Sequence, residues 1–320
     1  STEVVDRYQK QYQQRKPELP GASTQRDRAM QLLAEAGFPT AKTERWRYTR
    51  LNRVLKRELA PAQKSGSEVA TNDQVAEFVE QAAKALTDEQ QTLLVFQGGY
   101  FRPEFSTLTE SSGTVAGVEF QPLAGALEAD GAQLLSPRSG VDGAFDQLNC
   151  AMVADGGVVT ITEGKHPRVT LLVIGEPDRD AYWQLQVKAA EFAQAELAIV
   201  FAGLSDAAQY NSNNLIHLDL GAGAHVSLSQ LQLQGGGAFH YSSLQANLQR
   251  DSKLTTHLLT LGGGLSRDDV DINLADQGAE AEVSCLQLSG GQQHADHHHT
   301  VEHAQPNCIS RVSHHGLFAG

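Results

Sequence analysis

The sequence predicts a mainly β protein whose core is a solenoid, a β-helix, preceded by a helical domain. Three observations carry this prediction: an internal repeat in the C-terminal half, two strand-like limbs with alternating polarity in each repeat, and a change from helical to β-type patterning near residue 90. The division that follows is an N-terminal helical domain over 1–90 and a β-helix core over 91–320.

The repeat begins near residue 195. Three glycine turns recur in step, Gly235-Gly236-Gly237, Gly262-Gly263-Gly264 and Gly290-Gly291, and each follows a similar strand: Leu231-Gln232-Leu233, Leu259-Thr260-Leu261 and Leu286-Gln287-Leu288. The spacing is 27 to 28 residues. A second set of turns interleaves at Gly223-Ala224, Asp251-Ser252 and Gly278-Ala279. Alternation along each limb puts Leu and Val on one face and Gln, Ser, Thr, His and Asp on the other, so the expected core face is the leucine face. A single unit cannot bury that face alone, whereas stacking the next unit in register makes a continuous core. Successive antiparallel hairpins fit the same spacing; Leu above Leu and Gly above Gly in every coil favours the solenoid.

The first 90 residues carry helix signals. Thr71 and Gln74 form a capping-box pattern ahead of Val75, Phe78, Val79, Ala82 and Leu86, which share one helical face. A second helix is expected from Thr24, capped by its own hydroxyl, through Met30, Leu32, Leu33 and Ala36 to Gly37. Between them, Trp46 and Tyr48 are expected to pack the helical part against the body. Short β-type runs such as Leu93-Leu94-Val95-Phe96 and Val158-Val159-Thr160-Ile161 take over after Gln91.

Composition narrows function. The 320 residues are 40% hydrophobic and 20% charged, and the longest apolar run, Leu197 to Ala202, is far short of the roughly 18 residues that span a bilayer. The polar Ser-Thr-Glu-Val-Val-Asp-Arg start lacks a secretory pattern, and three widely spaced thiols suit a reducing compartment, so a cytoplasmic location without membrane association is expected. A net charge of −13 without a dense Lys/Arg patch argues against nucleic acid as a partner.

Seven of the twelve histidines lie in the last 27 residues. In an extended strand His297, His299, Val301 and His303 share one face, and with Cys308 nearby the candidate metal ligands are His297, His299, His303 and Cys308, a set suited to zinc or ferrous iron. Arg267-Asp268-Asp269-Val270-Asp271 places Asp269 and Asp271 on one face, the only support for a carbohydrate-active β-helix enzyme. Cys285 reads as a small buried apolar residue within a strand, and Cys150 as a similar one. No catalytic nucleophile–base arrangement can be assigned from spacing.

Several segments together resemble the SufB/SufD family of the SUF iron–sulfur cluster assembly system, most of all its SufD branch. They are Thr43-Glu44-Arg45-Trp46-Arg47-Tyr48-Thr49, Phe145-Asp146-Gln147-Leu148-Asn149 followed by Asp155-Gly156, Ser266-Arg267-Asp268-Asp269-Val270 with Gly278-Ala279, Gln293 to His297, and His303-Ala304-Gln305-Pro306-Asn307-Cys308 with Ser310. The resemblance implies a right-handed parallel β-helix and a non-catalytic scaffold that pairs with SufB through the β-helices, assists cluster assembly and iron acquisition, and works with the SufC ATPase. It implies no stably bound cofactor, only transient iron or a cluster at the interface with SufB; a homodimer is the other assembly considered. The family continues into further coils and a C-terminal helical domain that docks SufC, whereas this sequence ends at His314-His315-Gly316-Leu317-Phe318-Ala319-Gly320. The expectation is therefore a β-helix cut short, lacking that domain and the family's Cys-x-His pair. A His-rich metal-binding module is the remaining alternative.

Overall fold

The computed structural model describes residues 2–64, 71–86, 91–108, 113–115, 117–129 and 131–319. Twelve strands build a parallel β-helix of about six turns: β1 (Asp155–Ile161), β2 (Arg168–Gly175), β3 (Arg179–Ala189), β4 (Gln194–Gly203), β5 (Tyr210–Leu220), β6 (His225–Gln232), β7 (Ala238–Leu248), β8 (Lys253–Thr260), β9 (Leu265–Leu274), β10 (Glu280–Gly290), β11 (His294–His303) and β12 (Ile309–Ala319). Odd-numbered strands stack in one sheet and even-numbered strands in the other. Every pairing among these twelve is parallel, which settles the choice between a solenoid and successive hairpins.

Register fixes which residues sit above one another. Tyr210 pairs with Ala238, Phe239 with Leu265 and Leu265 with His294, so a coil takes 28, then 26, then 29 residues, and the corners absorb the difference. At the first coils, Val118–Pro122 adds antiparallel to β1 and Thr92–Gln97 adds parallel to β2.

The alternation predicted within each limb is present, but its polarity at the repeated triplets is reversed. Val226 and Leu228 point inward, and the pleat then carries Gln230 and Gln232 inward as well, while Leu231 faces out. Leu233, Leu286 and Leu288 are among the exposed large apolar residues. The inward amides are satisfied locally: Gly262 N–H donates to Gln232 Oε1 at 2.9 Å, and Ser242 Oγ donates to Gln230 Oε1 at 3.1 Å. The lumen thus has an aliphatic half, with Leu218, Ala246, Ile272, Val226, Leu254 and Ala281, and a polar half.

A layer of helices covers the outer face of the odd sheet. α1 (Thr2–Arg15) buries Val5, Tyr8 and Tyr12, a helical spacing in an otherwise polar stretch. α2 (Ser23–Ala36) ends as expected at Gly37, whose N–H donates to Leu33 O at 2.8 Å with φ at +70°. Its start differs from the expected Thr24 cap: the helix begins at Ser23 after Ala22 in a left-handed conformation, without a side-chain cap, and Asp27 pairs with Lys16. α3 (Asn72–Leu86) forms the predicted capping box, with Gln74 N–H donating to Thr71 Oγ1 at 3.3 Å and Thr71 N–H donating to Gln74 Oε1 at 3.0 Å. Val75 and Val79 of α3 pack on Val95, Leu172, Ile174 and Val200 outside the even sheet.

Two more helices follow residue 91, α4 (Leu123–Ala129) and α5 (Ala144–Met152), and they share an apolar cluster with α1 and α2. Cys150 sits on α5 and is fully buried, as its apolar context predicts. Among the described residues no helix is long and apolar enough to cross a membrane.

Coil corners approach so closely that a Cβ at Gly262 would lie 2.1 Å from the backbone oxygen of Gln234. At Gly236, in the equivalent turn one coil earlier, nothing lies within 4 Å. Gly262→Ala should lower unfolding free energy in urea by about 1–3 kcal/mol, and Gly236→Ala should stay within about 0.5 kcal/mol; equal effects would contradict the stacking described.

Candidate functional site: a thiol–imidazole cluster in the lumen

β10 and β11 bring three soft or borderline donors to one point in the polar half of the lumen, and β12 sets the exposed His314 ring beside them. Strand pleating turns Cys285 inward after Ala281 and Val283, and turns His297 and His299 inward ahead of Val301. Cys285 pairs in register with His314 of β12. Donor atoms of Cys285, His297 and His299 all lie within 4.8 Å of one another, and Cys285 Sγ is 3.3 Å from His299 Nε2. The His314 ring is 5.1 Å from that of His297 and 6.4 Å from that of His299, centre to centre.

Behind this cluster the register stacks Asn214, Ser242, Asp268 and His297 in one column. Asp268 Oδ2 lies 3.5 Å from His297 Nδ1, and its other oxygen lies 3.8 Å from Nε2 of the fully buried His240. Thr260 Oγ1 is 3.4 Å from His297 Nε2. Burial dominates the electrostatics: it pushes the Asp268 carboxyl up to about 7 and the Cys285 thiol up to about 12. It lowers His297 to about 4, helped by the neighbouring His314 and His299, and His240 to about 3. His299 is lowered as well, again first by burial.

Of the four ligands expected from the sequence, His297 and His299 meet in this cluster, while His303 and Cys308 lie apart from it. His303 Nε2 is 2.9 Å from Ser310 Oγ, and Cys308 Sγ is 3.3 Å from Asp276 O. Cys285 and His314 take part instead. Strand alternation alone placed the histidines; the register between coils, which the sequence does not state, supplied the thiol and the third imidazole. Asp268 follows from the same alternation, since it faces opposite to Asp269.

A separate charged cluster lies outside the odd sheet, against the helical layer. Asp269 and Asp271 do share a face, and Arg138 engages both, Asp269 at 2.9 Å and Asp271 at 2.8 Å, together with the buried Asp146 at 2.8 Å. Arg267 pairs with Asp269 at 2.9 Å and Asp296 at 2.5 Å, and its guanidinium lies 3.7 Å from the ring centre of Trp46. Trp46 is fully buried and stacks on Phe145 and Tyr241. Its expected packing role holds; Tyr48, 78% exposed, does not share it. Asp296 accepts from Thr49 and is held well below the usual carboxylate range: burial opposes this, and the hydrogen bonds from His298 and Thr49 and the charge of Arg267 outweigh it. The acidic run is thus a charge-compensated joint between helices and solenoid. Arg138, isolated between short turns, gave no signal in the sequence.

Comparison with known proteins adds family context. Residues 173–320 match the family model for the SUF system FeS cluster assembly SufBD core domain. The chain is 24% identical over 301 residues to the iron–sulfur cluster assembly protein SufD of Escherichia coli, covering 91% of this chain and 65% of that protein. It is 25% identical over 301 residues to an iron–sulfur cluster assembly SufBD family protein of Synechocystis, covering 90% and 64%. A family protein of Mycobacterium leprae matches at 27% over 154 residues, 48% of this chain and 38% of its own length. The chain thus spans just under two thirds of the first two relatives.

Removing Arg138 leaves the buried Asp146 carboxylate without its cation, while Asp269 keeps Arg267. Arg138→Met should cost about 3–5 kcal/mol in urea unfolding, whereas Lys84→Ala, which breaks an exposed pair with Glu80 on α3, should stay within about 0.5 kcal/mol.

Proposed function

We propose that the chain is a member of the SufB/SufD family of iron–sulfur cluster assembly proteins, whose core-domain model matches residues 173–320, and that it is a non-catalytic scaffold subunit of a SufBCD-type complex. In this reading its β-helix pairs with SufB, the SufC ATPase acts on the assembled complex, and iron or a nascent cluster passes transiently through the interface with SufB as cargo. A cytoplasmic setting accords with three free thiols, two of them buried.

The observation that carries this reading is the coincidence of the family core domain, residues 173–320, with the coils from β2 onward. The outer face of the even sheet supplies a second support. Stacking puts Leu231, Leu259 and Leu286 in one outward column, with Leu288 beside Leu317 in the next. Leu233, Leu286 and Leu288 are 37–40% exposed, an apolar strip of the kind that marks an interface. A third support is the engagement of Asp269 and Asp271 by Arg138, which makes those carboxylates part of a structural joint.

Size-exclusion chromatography of the chain with purified SufB under reducing conditions tests the proposal. A 1:1 complex is expected, and Leu286→Glu with Leu288→Glu should abolish co-elution while leaving circular dichroism unchanged. Failure of the parent chain to bind SufB, or self-association in its place, would overturn it.

A further inference from the structure

We propose that Cys285, His297 and His299, with His314 completing the set, bind one divalent transition-metal ion inside the solenoid, zinc or ferrous iron by donor type. The site does not depend on pairing with SufB, so its test and the test of the scaffold role fail separately.

Geometry is the first argument. In a tetrahedral site with bonds of about 2.0–2.3 Å, donor atoms lie about 3.3–3.8 Å apart. Cys285 Sγ and His299 Nε2 are already 3.3 Å apart, and small side-chain rotations bring donors within 4.8 Å of one another to that spacing. The donors come from stacked strands of a β-helix rather than from a loop, so the backbone that presents them is held by inter-coil hydrogen bonds.

The second argument is that the cluster is poorly explained as ordinary packing. Cys285 is 2% exposed and the His297 side chain is fully buried, and His297 makes only long contacts, Nδ1 to the Asp268 carboxylate at 3.5 Å and Nε2 to Thr260 Oγ1 at 3.4 Å. Two of the cluster's positions are aliphatic one coil earlier: Val270 lies beneath His299, with Leu244 beneath that, and Leu258 lies beneath Cys285. An imidazole and a buried thiol in place of these aliphatic residues, beside the buried His297, cost solvation unless something binds them.

The third argument is the carboxylate behind the ring. Asp268 Oδ2 lies 3.5 Å from His297 Nδ1, the arrangement in which a carboxylate orients a ligating imidazole that binds metal through its other nitrogen. Thiolate plus carboxylate would also balance the charge of a divalent ion. Mixed sulfur and nitrogen donors select zinc, cobalt or ferrous iron over calcium or magnesium.

Cobalt(II) is the probe. Anaerobic titration of the full chain, in a non-thiol reductant, should saturate at one equivalent with a thiolate-to-cobalt charge-transfer band and the intense visible bands of tetrahedral cobalt, and Zn2+ should displace it. Cys285→Ser should remove the charge-transfer band, Asp268→Asn should weaken binding about 10- to 100-fold, and Cys308→Ser should change nothing. X-ray absorption of Cys308→Ser protein loaded with one equivalent of Zn2+ needs no change in the lumen, and should show one sulfur near 2.3 Å and nitrogens near 2.0–2.1 Å. Absence of a saturable one-equivalent phase, loss of the charge-transfer band in Cys308→Ser, or a zinc shell of light atoms only would each overturn the assignment.

Discussion

The strands of the solenoid find their backbone hydrogen-bond partners chiefly in the coils above and below, and that constraint dictates most of the rest. A coil must return the chain to the same register on every circuit, so residues about 28 apart become neighbours and form columns along the axis. Corners must be small where one turn sits on another, which is why Gly262 lies against the Gln234 carbonyl. Columns also make the lumen divisible lengthwise: Leu218, Ala246 and Ile272 stack in one column, and Asn214, Ser242, Asp268 and His297 in another.

The divided lumen explains where sequence reading succeeds and where it stops. The 27- to 28-residue period is legible because glycine turns and Leu-x-Leu triplets recur together, and it leads directly to stacked coils. The inward face of those triplets is not legible, because a hydrophobicity argument assigns Leu231 and Leu286 to the core when the pleat is set earlier in each strand by Val226 with Leu228, and by Ala281 with Val283. Glutamine can occupy the interior here because neighbouring coils offer it partners, as Gln232 does for the Gly262 N–H. The cluster of Cys285 with His297, His299 and His314 is half legible for the same reason. Alternation within β11 is a property of one segment, but the approach of Cys285 and His314 depends on a register between segments.

The helical layer shows a different balance. A capping box and a C-terminal glycine are local, and both are present where the sequence places them. What joins helices to solenoid is long-range: Arg138 reaches Asp269 and Asp271 more than 130 positions away, and Arg267 lies on Trp46. These guanidinium contacts turn an acidic run, which in isolation resembles a carboxylate pair for hydrolysis, into the seam between the two parts of the molecule. The chemistry proposed for the chain lies instead on the inner side of the same strands, with Asp268 facing the lumen between Ser242 and His297 of the adjacent coils.

The central claim is that inter-coil register, not local sequence, assembles the lumen cluster, and one measurement tests it with a thiol the chain already has. Cys285 and His314 are register partners on strands about 4.8 Å apart, within the range that a disulfide spans. His314→Cys protein, mildly oxidised and mapped by mass spectrometry, is predicted to link residue 314 to Cys285, while His315→Cys, one residue out of phase and facing outward, is predicted to leave Cys285 free. A link formed by the second variant and not by the first would contradict the register and the cluster together.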